Sequence, residues 1–486
     1  MGRHSRAAGQ QLEKIPATML NRRTLLCLLG GTVFTGLSVA PRSKYLHIGP
    51  EALKAAEKPA IPGRTFYVSS AASDGSPTGR NDKPFISISQ ALNEISDLGA
   101  NDTVIVLPGI YNEQVTINKG GNESGDFSLR ALTKHTAFIR SPSDTYSAVN
   151  IVKDYVVVDG FDVKAGGTGH GIEATFLDAN PRSRGPHHIR IINNVCHNNP
   201  GSGIGVAYGD YYLIEKNICY DNCHTNGYQG SGISIYSARA VFDQSPGFHN
   251  FVRNNLCSWN IAIDLPGHPE PPHSDANGII IDDFHNSQTK GGVAYNFHTL
   301  VENNIVNNNG GKGIQIYLSD NVVIRNNTSY HNNRDPLNPG TWRGELSNAL
   351  ASNNTWINNL AVANPAINQY NTAISDNDKD PYLNHNVLWY NNLTFNGEQR
   401  DPSIFSSSRN RSLVDYSPYN NIFGLDPLFI SAGDTLTTPN FRLRPDSPAV
   451  GAGTTAFGIG SVDYDGRTRN EEGPVDIGAF QMVSRY

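Results

Sequence analysis

The chemically competent side chains of this chain gather in one stretch. His273-Ser274-Asp275-Ala276-Asn277-Gly278 runs into Ile279-Ile280-Ile281-Asp282-Asp283, and Lys312, Asp335 and Trp342-Arg343-Gly344-Glu345 follow. Two chemistries can use such a set. β-Elimination beside a carboxylate needs a base for the α proton and a cation for the developing enolate. Lys312 or Arg343 is the candidate base and His273 the rival, while calcium on the hard oxygens of Asp275, Asp282 and Asp283 is the candidate cation. Hydrolysis of a glycosidic bond instead needs two carboxylates, about 5–5.5 Å apart for retention or about 6.5–9.5 Å for inversion. Asp282 with Glu345, or with Asp335, is the candidate pair. Tyr236, Tyr317 and Trp342 offer rings on which a sugar face stacks in either scheme.

Each of these residues also has a plain structural reading. Asp275 and Asp283 beside Asn and Gly suit Asx-turns. Lys312 suits a solvated edge, and Trp342 with Arg343 suits a loop packed on a scaffold. His197, His224 and His249 read as turn residues.

The elements that must position this set are written in a repeat. An asparagine recurs at one place in the same short pattern: Asn194, Asn217, Asn255, Asn304, Asn327, Asn359, Asn392 and Asn421, each followed by an aliphatic residue or threonine. The intervals run from 23 to 49 residues. Repetition at that scale means stacked supersecondary units. The short units are too brief for two helices and a turn, and they are rich in Val, Ile, Asn and Gly, so one coil of a parallel β-helix fits. Coils stack at the strand spacing of about 4.8 Å, which lets each side-chain amide donate to one neighbour and accept from the other.

A second repeat opens alternating strands at Gly171, Gly203, Gly232, Gly278 and Gly313. Period-two alternation sends Ile204/Val206, Ile233/Ile235, Ile279/Ile281 and Ile314/Ile316 inward. The outward set is then Gly205 and Ala207, Ser234 and Tyr236, Ile280 and Asp282, Gln315 and Tyr317. It starts small and turns aromatic and acidic, as the floor of a groove does. Asp282 is thereby expected between Tyr236 and Tyr317.

The wider sequence narrows the setting. The chain has 486 residues and a formal net charge of −6, which leaves no basic footprint for nucleic acid. Arg22-Arg23 precede an apolar run from Leu25 to Val39, and Ser38-Val39-Ala40 has a small-x-small form, so residues 1–40 read as a twin-arginine-like export signal. Sec export is the other reading. Residues 41–62 read as a linker, and no later run is long enough to span a bilayer. Periplasmic or secreted placement follows. Cys196, Cys219 and Cys257 share one repeat position, which predicts either a disulfide between the first two or a buried column of thiols.

Ile88, Ala91, Leu92 and Ile95 have helical spacing and predict a helix over the N-terminal end of the solenoid. The opening Tyr67-Val68 and Leu107-Pro108-Gly109-Ile110-Tyr111, the asparagine repeat and the closing Asp476-Ile477-Gly478-Ala479-Phe480 resemble bacterial right-handed parallel β-helix proteins of the pectate-lyase-like superfamily. The resemblance covers about residues 63–486 and implies an all-β right-handed parallel β-helix with a helical N-terminal cap and a C-terminal cap, in which Asp465, Arg467 and Asp476 would be end-cap residues. It also implies a polysaccharide as partner. The family includes calcium-dependent lyases, glycoside hydrolases and binding proteins, so lyase chemistry on an acidic polysaccharide is the leading expectation. Hydrolysis and sugar binding without catalysis are the alternatives.

Overall fold

The computed structural model describes residues 63–482, except 74, 176–183, 226–228, 264–272, 289–291, 339–342, 408–418, 434–439 and 470–472. The export signal, the linker and Trp342 therefore lie outside the described residues.

Strands of two to six residues wind through three long parallel sheets. The first has 11 strands, from Thr65–Val68 to Leu388–Tyr390, the second 10, from Val115–Ile117 to Ile404–Ser406, and the third 11, from Gly109–Tyr111 to Ile422–Phe423. Each coil passes from the third sheet to the second, then to the first. The chain is a right-handed parallel β-helix. Parallel sheets closed on one another bury the inward residue of every alternating pair. Ile204, Ile233, Ile279 and Ile314 form one such column in the second sheet, all 0% exposed.

Each corner has its own stacking device. Between the first and third sheets the leading residue of each repeat pair takes the left-handed conformation, as at Asn193, Asn254, Asn303 and Asn326, where φ lies between 52 and 57°. Asparagine tolerates that region far better than branched residues. The second asparagine turns inward. From Asn217 to Asn421 each side-chain oxygen accepts the backbone N–H and the side-chain amide of the asparagine one coil earlier, at 2.9–3.2 Å, and the Asn194 oxygen accepts the Phe161 N–H. The ladder predicted from the repeat is present in all eight positions.

A second ladder, unread in the sequence, occupies the corner between the third and second sheets. It runs Asn199, Asn222, Asn260, Asn309 and Asn332. The third corner carries an aromatic stack of Tyr155, His188, Tyr211, His249 and Phe297, with ring centroids 4.1–4.5 Å apart. Cys196, Cys219 and Cys257 stand in register, buried and unbridged, so the thiol column forms.

The ends differ from the sequence expectation in detail. The helix Ile88–Glu94 forms, capped by the Ser87 side chain on Gln90 N–H, and buries Ile88, Ala91 and Leu92 beside the strands Thr65–Val68 and Val115–Ile117. A helical cap over the N-terminal end is not shown. The C-terminal segment runs lengthwise along one flank. The amides of Asn391, Asn358, Asn326, Asn303 and Asn254 donate in turn to the carbonyls of Ala452, Thr454, Asp476, Val462 and Asp463. Ile477, Ala479 and Phe480 cover Ile305, Leu360 and Leu393 there. Asp465 pairs with Arg442 at 2.6 Å, and Asp476 accepts Gly451 N–H, so these residues hold the strap together.

Candidate functional site

The outer face of the second sheet carries the candidate site. Register pairs Ala207 with Tyr236, Tyr236 with Asp282, Asp282 with Tyr317 and Tyr317 with Ala349. Asp282 therefore sits between Tyr236 and Tyr317, and all three are partly exposed. The row one step back along the strands reads Glu173, Gly205, Ser234, Ile280, Gln315 and Ser347. Its first three members are partly exposed and its last three buried, so the strip opens toward the earlier coils.

Electrostatics single out Asp282. Its carboxyl is pushed well above the ordinary carboxylate range, first by loss of solvent and then by the nearby carboxylates of Asp275 and Asp283. Gln288 Nε2 donates to it at 3.3 Å. Asp275 is likewise raised by desolvation, with Lys312 opposing. The Lys312 ammonium is held below its ordinary value by burial and by Arg343, with Asp275 opposing, and donates to the Ser274 carbonyl at 2.6 Å. Burial also lowers Arg343, whose guanidinium lies 5.7 Å from the centroid of the Tyr370 ring. Asp282, Asp275, Lys312 and Arg343 thus form one chain of interacting charges. Asp275 links the raised carboxyl of Asp282 to the lowered amine of Lys312, and groups shifted in these directions are candidates for acid–base chemistry.

Other predicted site residues are committed elsewhere. Glu345 is not a groove carboxylate. It is 0% exposed and terminates the second asparagine ladder, accepting from Asn332 N–H at 2.8 Å, Ser329 Oγ at 2.7 Å, Asn332 Nδ2 and Asn371 Nδ2. The pairing of Asp282 with Glu345 does not arise, because the ladder draws that side chain inward. Asp335, the other candidate partner, is 2% exposed and receives His273 Nδ1 at 2.6 Å. His273 is thereby tied to a carboxylate that also faces Arg343.

Asp283 belongs to a loop. With φ of 51° it turns in and accepts from Ser237 Oγ, Ser287 N–H, Ser287 Oγ and Gln288 N–H at 2.8–3.0 Å. Donor hydrogens point at both oxygens, where a cation needs bare lone pairs. Among the described residues, no three His, Cys, Asp or Glu side chains are grouped so as to hold a metal ion.

Several groups near the site have no sequence signature. Tyr208 lies edge-on to Tyr236 with centroids 5.7 Å apart, and the Arg239 guanidinium sits over Tyr208 at 4.7 Å. Tyr370, 62% exposed, presents an open ring above Arg343. These residues sit on turns and on loops of unequal length, where no periodicity aligns them with the groove.

No family model matches the chain, and no curated protein matches it. Solved structures with a similar course of chain include a pectate lyase, Pel9A, at 15% identity and TM-score 0.48, covering 87% of this chain and 98% of that one. XylC in complex with xylose follows at 9% identity and TM-score 0.46, covering 87% and 99%. The alginate lyase AlyGC of family PL6 has 16% identity and TM-score 0.36 over 66% of this chain and 48% of its own. The likeness is one of fold. Among the described residues, no helix is long and apolar enough to cross a membrane.

Proposed function

We propose that the protein is a polysaccharide-active enzyme exported from the cytoplasm, cleaving a uronic-acid-containing chain by β-elimination. The observation that carries this reading is Asp282, a carboxyl biased to its neutral form and flanked in register by two partly exposed tyrosines. Tyrosine rings take a sugar face, and a neutral carboxyl has a proton to give.

In this scheme the sugar carboxylate lies toward Arg343 and Lys312. The Lys312 amine gives up its contact with the Ser274 carbonyl and takes the proton from the carbon beside that carboxylate. The electron pair left behind forms the carbon–carbon double bond as the glycosidic C–O bond breaks. Asp282 protonates the departing oxygen, and Arg343 stabilises charge building on the carboxylate. No step runs through calcium. The interacting carboxyls of Asp275 and Asp282 favour hydrolysis as the second reading.

The test is incubation with a panel of uronate polysaccharides, following the ultraviolet absorbance of an unsaturated uronate together with new reducing ends. Both signals, lost in Asp282→Asn, support elimination. Reducing ends without absorbance replace it with hydrolysis. Neither signal on any glycan, with sugar affinity retained, would make the protein a binder.

A further inference from the structure

Upstream on the same strip, three strands before Asp282, lies a polar cluster that the scheme above does not use. Glu173 is the outward residue of the strand Ile172–Ala174 and is partly exposed. Its Oε2 accepts from Ser147 Oγ at 2.7 Å, and Ser147 is 0% exposed. The same hydroxyl accepts the backbone N–H of His170 at 2.9 Å. The His170 ring accepts Ser202 N–H on Nδ1 at 2.8 Å, which leaves Nε2 as the nitrogen that carries the proton. Burial holds this imidazole below its ordinary value, so it is neutral at pH 7.

The geometry around these groups is open on one side. Tyr146, 42% exposed, stands edge-on to His170 with centroids 5.9 Å apart. Gly205, next in the row after Glu173, has no side chain, and a Cβ there would come within 3.3–3.4 Å of the His170 ring. The missing side chain seats the imidazole against the sheet floor. A fixed carboxylate acceptor, a fixed N–H donor and an exposed ring are what a hydroxyl-rich sugar needs. A uronate would meet the Glu173 carboxylate with like charge, and among the described residues no cation pairs with Glu173.

We infer that Tyr146, His170 and Glu173 form a distal subsite that binds a neutral sugar through its hydroxyls. The inference rests on the reading above for the ligand being a glycan, not for its cleavage. Three strand steps of about 4.8 Å each put the cluster about 14 Å across the sheet from the Asp282 strand. Several sugar units of one chain span that distance, so the preferred polymer is mixed, with neutral residues upstream of the acidic one at Asp282.

The test is calorimetric titration of the folded, exported chain with xylohexaose, a galactose hexamer and hexagalacturonate. Wild type, Glu173→Ala, Glu173→Gln and Gly205→Ala are compared. Expected is binding of at least one neutral hexamer, weakened tenfold or more by Glu173→Ala and by Gly205→Ala, which crowds His170. Glu173→Gln, which keeps an acceptor, loses less. Absence of neutral binding in wild type, or full neutral affinity in both Glu173→Ala and Gly205→Ala, would overturn the inference. Neutral binding without cleavage of any glycan would sink the enzymatic reading and leave the subsite standing. Cleavage with no neutral binding would do the reverse.

Discussion

Replacing Asn304 with alanine removes the middle rung of the first ladder. The Asn304 oxygen accepts Asn255 N–H and Asn255 Nδ2, both at 3.0 Å, and its amide donates to the Val252 carbonyl at 2.9 Å and the Asn327 oxygen at 3.0 Å. After truncation Asn255 Nδ2 keeps the Ile214 carbonyl, and the Asn327 oxygen keeps Asn304 N–H. The Asn255 N–H is left buried without an acceptor, and the Val252 carbonyl loses a donor. An orphaned buried group costs about 1–3 kcal/mol, and each other lost bond about 1 kcal/mol. The expected loss, one orphaned group and three other bonds, is therefore about 4–6 kcal/mol.

Asn421, at the ladder's last position, is only partly buried and has no asparagine beyond it, so water replaces its bonds. Asn421→Ala is expected to cost about 1 kcal/mol. Guanidinium unfolding followed by the fluorescence of the buried, stacked Trp356 and Trp389 gives both values, with m compared to confirm one transition. A loss below about 1 kcal/mol for Asn304→Ala, or equal losses at the two sites, would refute mutual satisfaction of the amides as the source of coil stability.

Other consequences follow from single residues. Burial lifts the Glu345 carboxyl to about 7 from its ordinary 4.5, so the folded state holds a proton that the unfolded state releases. Its stabilising effect is present below pH 4.5 and fades as pH rises through about 7, by roughly 1.4 kcal/mol per pH unit within that window. Glu345→Gln should flatten that slope in unfolding curves between pH 5 and 7; an unchanged slope would deny the assignment. Asp282→Asn should lower kcat by about 10²–10⁴ with the melting temperature unchanged, as measured on a cleaved glycan. Arg469, 2% exposed, donates to Asn303 Oδ1 at 3.2 Å and to the Gly478 carbonyl at 3.0 Å. Arg469→Met should release the C-terminal strap to protease while the solenoid stays resistant; equal resistance of both would show that Arg469 does not hold the strap. The thiols of Cys196, Cys219, Cys223 and Cys257 should remain unmodified by a thiol reagent until denaturant is added, as read by peptide mass.

The legibility of this protein divides by distance along the chain. Period-two alternation is a property of neighbouring residues, so the sequence alone determined which side chains of the second sheet line the core and which line the strip. It also determined the asparagine column, because one residue type recurring at one corner has a single stacking partner per coil. The register of Asp282 between Tyr236 and Tyr317 followed from those two facts. Tertiary structure decided what local pattern does not encode. Glu345 looked like a catalytic carboxylate beside Trp342-Arg343, yet it ends the second ladder, because the coil places Asn332 N–H against it. Asp283 admits two readings in the sequence, a calcium ligand or an Asx-turn, and the left-handed backbone at that residue turns its side chain into its own loop. The strap meets Asn326 from 150 residues away, and Tyr370 reaches Arg343 from a loop of unequal length. Local periodicity fixes a side chain's face, whereas partners joined by insertions of arbitrary length are chosen only when the coils close on one another.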